Sequence, residues 1–300
     1  MSSPRPLDLE QSATKTAGHL PALLVDAETV ANTLMAGAHG RRQGGSGETF
    51  WQYRPYTSDD SATRIDWRQS ARSAHQLFVR ETEWETSAVI GLWSAASASM
   101  AYGSDQNGPT KRWRAQVLAV ALALLLTRAG ERILDLGQSR GGGQGGEGSG
   151  SAGAVMAFAE ALLARPPLPT DLPPLASRPL AQIVYISDFY DDLDPLLKRL
   201  STIAGTGQPL TLVQISDPAE DAFPFEGRRL FQQAAGQDRI VFGDAAAVRD
   251  AYRQARTAHL GTLEDFCRRR GIPLLHHRTD LPATACLSAL HAAISGYRFR

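Results

Sequence analysis

Three short apolar runs constrain this fold more than anything else in the chain: Ser87 to Trp93 (SAVIGLW), Ala181 to Ser187 (AQIVYIS) and Leu210 to Ser216 (LTLVQIS). Each is rich in β-branched and aliphatic residues and lacks a continuous polar face, as a strand covered on both sides requires. Further strands are expected at Val79 to Glu85, Glu131 to Leu136 and Ile272 to His276, with a small hairpin within Phe231 to Phe242. Segments of helical length lie between them, at Lys111 to Arg128, Ala154 to Ala164, Leu193 to Ile203, Ala245 to Arg270 and Pro282 to Ser295. This alternation predicts an α/β fold, a mostly parallel, Rossmann-like sheet with helices on both faces. Such sheets hold their sites at the C-terminal ends of the strands. The loops after Trp93, Leu136 and Ser187 are therefore where function should be sought.

Residues 1–17 are polar and read as a disordered tail. Residues 18–75 read as a smaller N-terminal segment, an amphipathic helix (Leu20 to Met35) followed by short β runs, and residues 76–300 as the sheet domain. The run Val117 to Leu126 (VLAVALALLL) is too short to cross a bilayer and sits among Arg112, Arg114 and Arg128. A buried core helix accounts for it. The first residues lack the apolar core of a signal peptide, so a cytoplasmic protein without membrane insertion is expected. Thirty-one basic and thirty-one acidic residues cancel, which leaves no global field to draw the chain onto nucleic acid. Cys267 and Cys286 fall in expected helices and read as buried free thiols.

Between Gly45 and Glu85, arginines, acids and aromatics interleave densely. Guanidinium and carboxylate groups in such a pattern satisfy one another, and an internal ion-pair lattice that buttresses the fold is the expected outcome. The acids also argue against a phosphate-binding surface. The order is distinctive: Arg54-Pro55-Tyr56, Asp59-Asp60, Arg64-Ile65-Asp66-Trp67-Arg68-x-Ser70-Ala71-Arg72, then Arg80-Glu81-x-Glu83. This closely resembles the signature of the bacterial domain-of-unknown-function family fifty-eight. The resemblance implies a von Willebrand factor A-like domain over residues 76–300. It also implies a non-enzymatic adaptor role beside a MoxR-type AAA+ ATPase. Many relatives carry N-terminal membrane helices, and this chain looks like a short form without them.

In the von Willebrand A-like pattern, the loop Trp93-Ser94-Ala95-Ala96-Ser97-Ala98-Ser99-Met100 corresponds to an Asp-x-Ser-x-Ser metal motif. Ser97 and Ser99 match its serines, while Ala95 stands where the motif has Asp. Asp188 matches the late acidic position. The resemblance thus implies a degenerate metal-ion-dependent adhesion site of Ser97, Ser99 and Asp188, with at most weak Mg²⁺ binding, because a hard divalent ion wants charged oxygens. No other cofactor is expected. Asp191, Asp192 and Asp194 read as helix capping and dipole compensation. The motif's middle hydroxyl has no assignable residue in the loop Gly137 to Gly153, and Asp105 is an unneeded substitute for the missing carboxylate.

Gly141-x-Gly143-x-x-Gly146 lies in a glycine-rich stretch whose composition nearly guarantees the match, so a surface loop is expected. His276 and His277 point to opposite faces of a strand and cannot easily share an ion. Nucleophile elbows, His-Glu-x-x-His, Cys-x-x-Cys and phosphate loops are absent from the sequence. Binding is therefore expected rather than catalysis. A metal-dependent hydrolase using Asp188, and a ligand-free scaffold, are the alternatives.

Overall fold

Strands Gln182–Ser187 (β5) and Leu210–Ser216 (β6) are buried at every position. Side chains alternate across a strand, so burial at every position means that both sheet faces are covered. The computed structural model describes residues 6–37, 49–57, 60–73, 76–83, 87–138, 150–167, 172–173, 179–232 and 239–296. They form two compact units, Met1–Gly40 with Ala88–Arg300, and Arg41–Ser87.

The larger unit is built on a five-stranded parallel sheet. Its order is Arg132–Asp135 (β4), Val89–Ser94 (β3), β5, β6 and Leu274–Arg278 (β9). The architecture is the expected Rossmann-like α/β fold with helices flanking the sheet. After β3 the chain moves outward to β4, then returns across β3 to start β5. The strand order therefore reverses between β3 and β5, and their C-terminal ends frame the crevice where ligands bind in such sheets.

Helix Lys111–Arg128 (α3) is buried on nearly all sides from Ala115 to Leu126. It packs against β3, β4, β5 and β6 on one side and against helix Pro6–Gly37 (α1) on another. A helix with no polar face folds stably only when enclosed in this way. The VLAVALALLL run is thus a core helix, as its length indicated. Helix Ala152–Ala164 (α4) and helix Ala283–Gly296 (α8) also pack on α1 and α3. Helices Leu193–Ala204 (α5) and Arg249–Arg270 (α7) pack on each other. Leu196, Leu200 and Ile203 of α5 and Leu263 and Cys267 of α7 join the same core. Both cysteines are free and buried.

Three boundaries differ from the sequence reading. The disordered tail of residues 1–17 gives way to helix from Pro6 onward, which continues through Pro21 to Gly37. Proline suits the first turn of a helix and breaks most interiors, yet Pro21 lies inside this one. Here Leu23, Ala27 and Ala31, each fully buried, follow it on one face and dock into the core. This helix consequently belongs to the sheet unit and not to a separate segment of residues 18–75. The last strand also lies slightly later than expected, with α7 preceded by a 3-10 turn at Ala245–Val248.

The smaller unit pairs Thr49–Pro55 (β1) antiparallel with Phe78–Glu83 (β2) and holds the short helix Trp67–Ser70 (α2). Strands Arg229–Gln232 (β7) and Arg239–Phe242 (β8), the expected hairpin, form an antiparallel pair in the larger unit, following the short helix Pro218–Ala222 (α6).

Candidate functional site at the strand-order reversal

Ser94 closes β3 opposite Ile186 of β5, and the pairing extends one step further as Ala95 N–H donates to the Ile186 carbonyl at 2.8 Å. The chain then turns through a 3-10 segment, Ala98–Ala101, anchored by fully buried Met100. Ser97 precedes this turn without capping it. Its hydroxyl hydrogen-bonds Ser99 Oγ instead, at 2.9 Å. Ala95 is buried, so the position aligned with the motif's Asp carries only a methyl group.

The charged centre of the crevice is a residue the sequence reading passed over. Lys111 opens α3, where Thr110 caps the helix by accepting Trp113 N–H. A cation at this end opposes the helix dipole, which favours anions there by about 0.3–1 kcal/mol. Its side chain is 1% exposed, and its ammonium donates to Asp188 Oδ2 at 2.8 Å and to Glu220 Oε1 at 2.5 Å. Asp188, at the end of β5, is fully buried, and the Glu220 side chain is 13% exposed. The rings of Tyr190 and Tyr102 lie 5.0 and 6.0 Å from the ammonium. Cation–π attraction adds to the ion pairs at such distances.

Each partner is held by its own local structure. Phe189, directly after Asp188, has φ 52° and is fully buried. A bulky L-residue there costs on the order of 1–3 kcal/mol, a strain that surrounding structure must impose. His259 Nε2 hydrogen-bonds the Phe189 carbonyl at 2.7 Å, and Arg256 donates to Tyr190 Oη at 2.8 Å. Glu220 belongs to a capping box on α6: Asp217 accepts Ala219 N–H, while Glu220 Oε2 accepts Asp217 N–H at 2.9 Å. Burial pushes the Glu220 carboxyl up, and the Lys111 ammonium works against that rise. Burial acts likewise on Asp217, but hydrogen bonds from Ser104, Ala219 and Thr279 outweigh it and hold its carboxyl below the usual range. The Ser104 bond ties the exposed loop before α3 to the start of α6.

A second ionic contact lies beside the crevice. Arg165 Nη2 donates to both Asp135 oxygens at 2.7 and 2.9 Å, and its Nη1 reaches the Ser94 carbonyl at 2.9 Å. Gly137 makes room for it, since a Cβ there would stand 2.1 Å from Arg165 Nη2.

Of the expected metal ligands, Ser97 and Ser99 bond to each other and Asp188 bonds to Lys111, all at the C-terminal ends of neighbouring strands. Among the described residues no hydrogen bond joins either serine to Asp188, and no group of three or more His, Cys, Asp or Glu could hold an ion. Asp105 caps its own turn, accepting Asn107 N–H at 2.9 Å. Asp192 occupies the cap position of α5 without a side-chain cap bond, and Asp194 lies in that helix's first turn. Ser151 caps α4. The other hydroxyls of that loop and the glycine fingerprint lie outside the described residues. His276 bonds Gln214 and lies 3.3 Å from Glu264, while His277 is buried. Burial, helped by the charge of Arg114, brings the His277 imidazole down to about 4.

In the smaller unit, Arg54 clamps Asp60 with two bonds of 2.6 and 2.5 Å, and Thr57 adds a backbone and a hydroxyl bond. Together these hold the Asp60 carboxyl far below its ordinary range. Asp66 caps α2 through Gln69 N–H and accepts a long 3.4 Å bond from Tyr53 Oη. Tyr56 N–H pairs with the Leu77 carbonyl. Trp67, 65% exposed, and Arg68 and Arg72 face solvent, so the expected lattice is realised around Arg54–Asp60 and Asp66. Asp59 and the side chains of Arg64, Arg80, Glu81 and Glu83 lie outside the described residues.

A family model described as "Protein of unknown function DUF58" matches residues 52–262. Uncharacterized protein Rv1480 of Mycobacterium tuberculosis is 27% identical over 281 residues, covering 84% of this chain and 82% of its own length. Uncharacterized protein Mb1516 of Mycobacterium bovis matches equally. Among solved structures, a conserved hypothetical protein BatB from Bacteroides thetaiotaomicron aligns at TM-score 0.39 and 10% identity, over 71% of this chain and 100% of that one. An aerotolerance-related membrane protein from Bacteroides fragilis aligns at TM-score 0.41 and 13% identity, over 70% and 99%. In the present chain no helix among the described residues is long and apolar enough to cross a membrane.

Proposed function

The chain belongs to the DUF58 family, and on that premise we propose that it is a non-enzymatic, protein-binding adaptor whose partner is a MoxR-type AAA+ ATPase. The sheet is read as a von Willebrand A-like domain, and the loops at the ends of β3 and β5 as the recognition surface. The observation that carries this reading is the state of the crevice charges. Asp188 and Glu220 are both engaged by one buried ammonium. Carboxylates paired in this way hold loops in place, whereas a general base or nucleophile must reach a substrate. Above them the loop from Ala101 to Asn107 is largely exposed, yet it is tied down through Ser104 and the Asp105 turn. A shaped, exposed loop loses little entropy when a partner docks on it.

The test is binding of the purified chain to a MoxR-type ATPase of the same organism, followed by biolayer interferometry with ATP present. Saturable binding is expected, weakened at least tenfold by Tyr102→Ala with Gln106→Lys in a chain that keeps its circular dichroism. A folded chain that does not bind, or one that hydrolyses a substrate and loses this activity in Asp188→Asn, contradicts the reading.

A further inference from the structure

We infer that the Lys111 ammonium is the resident cation of the Asp188–Glu220 pair, filling from within the chain the position where a divalent ion would bridge them. Asp188 arrives from the end of β5, and Glu220 from the capping box after β6, the neighbouring strand. The two carboxylates converge on a single nitrogen, at 2.8 and 2.5 Å. The Glu220 contact already lies within the range of Ca²⁺–oxygen coordination and the Asp188 contact just beyond it. A Ca²⁺-sized ion in place of the nitrogen would therefore need only the Asp188 carboxylate to move inward, while Mg²⁺ would need both to do so. While the ammonium is present it excludes such an ion twice over. It occupies the volume between the oxygens, and it repels a second cation in a buried, poorly screened place.

Simple structural filling does not explain why the position is lysine. Lysine at the first position of α3 opposes the helix dipole, and its stem is buried to 1% exposure. Two convergent carboxylates are what retain it there. The loops of the crevice consequently keep their arrangement without any metal, which would free partner binding from divalent ions. This inference concerns the crevice itself and stands whichever partner docks above it.

The test compares full-length wild type, Asp188→Asn, Lys111→Ala and the double variant Lys111→Ala with Asp188→Asn, each titrated with Mn²⁺ and followed by its electron paramagnetic resonance signal. Thermal unfolding is recorded in parallel, in EDTA and in Mn²⁺. The wild type should neither bind at micromolar concentrations nor change its melting temperature. Lys111→Ala should bind one Mn²⁺ at least tenfold more tightly than wild type and melt higher with the ion than in EDTA, and the double variant should lose both effects. Wild-type binding at micromolar strength that Asp188→Asn abolishes overturns the inference. So does a folded Lys111→Ala chain that binds Mn²⁺ no better than wild type. Should Lys111→Ala not fold, the wild-type titration decides: silence upholds the resident cation, and Asp188-dependent binding refutes it.

Discussion

Replacing Lys111 with Met keeps an unbranched side chain of similar length and removes the ammonium that reaches both Asp188 and Glu220. With the lysine 1%, the aspartate 0% and the glutamate 13% exposed, the interaction belongs to the buried regime, not to the surface regime of about 0–1 kcal/mol. Removing one partner of a buried pair leaves uncompensated charge and costs about 3–5 kcal/mol. That lowers the folding equilibrium constant by roughly two to four orders of magnitude. The loss should depend on pH. Burial already raises the Glu220 carboxyl and Lys111 opposes that rise, so without the ammonium it rises further. A carboxyl raised in the folded state contributes stability below its unfolded value, and this is lost as pH climbs through the folded one. The deficit of Lys111→Met should therefore be largest near pH 8 and shrink towards pH 5, and Glu220→Gln added to it should restore part of the stability. Urea denaturation followed by tryptophan fluorescence at several pH values measures this. A deficit below about 1 kcal/mol at pH 8, the surface value, or one that grows on acidification, would refute the reasoning.

Three further outcomes follow from groups around the core. Gly137→Ala places a Cβ on the Arg165 guanidinium and breaks its contacts with Asp135 and the Ser94 carbonyl. It should cost about 1–3 kcal/mol in denaturant titration, and a value near zero would mean the guanidinium is free to relocate. His277 has an imidazole lowered by burial to about 4, so the unfolded chain takes up its proton first and stability falls as pH drops from about 6.5 towards 4. In His277→Phe the stability profile across that window should flatten, and an unchanged slope would assign it to other groups. Burial pushes the thiols of Cys267 and Cys286 up to about 12. A thiol-specific reagent should label neither in the native chain and both after denaturation, and rapid native labelling would show that the helices carrying them open readily.

Much of the fold was legible because burial leaves simple marks. The runs around Val89–Trp93, Ile183–Ile186 and Leu210–Ile215 could be little else than enclosed strands, and the polarity-free stretch of α3 could only be a core helix. The start of α1 was not legible, because the polar residues before it read as a tail and the burial of Leu23, Ala27 and Ala31 depends on distant partners. At the site, alignment of short motifs singled out Ser97, Ser99 and Asp188, all at the strand-order reversal. It missed Lys111 and Glu220, which enter from segments 77 and 109 residues away from their partners in the chain. Two signals were present all the same. A lysine at the positive end of a helix asks for a buried counter-charge, and Asp217-Pro218-Ala219-Glu220 spells a capping box with proline in its first turn.

The account rests on a crevice whose carboxylates are held by a lysine, and the most direct measurement is the ¹⁵Nζ resonance of Lys111 in nuclear magnetic resonance spectra at neutral pH. A slowly exchanging ammonium signal is predicted, unmoved by added Mg²⁺ and lost in Asp188→Asn. A lysine signal that exchanges as fast as those of the surface, or that shifts as Mg²⁺ is added, would contradict it.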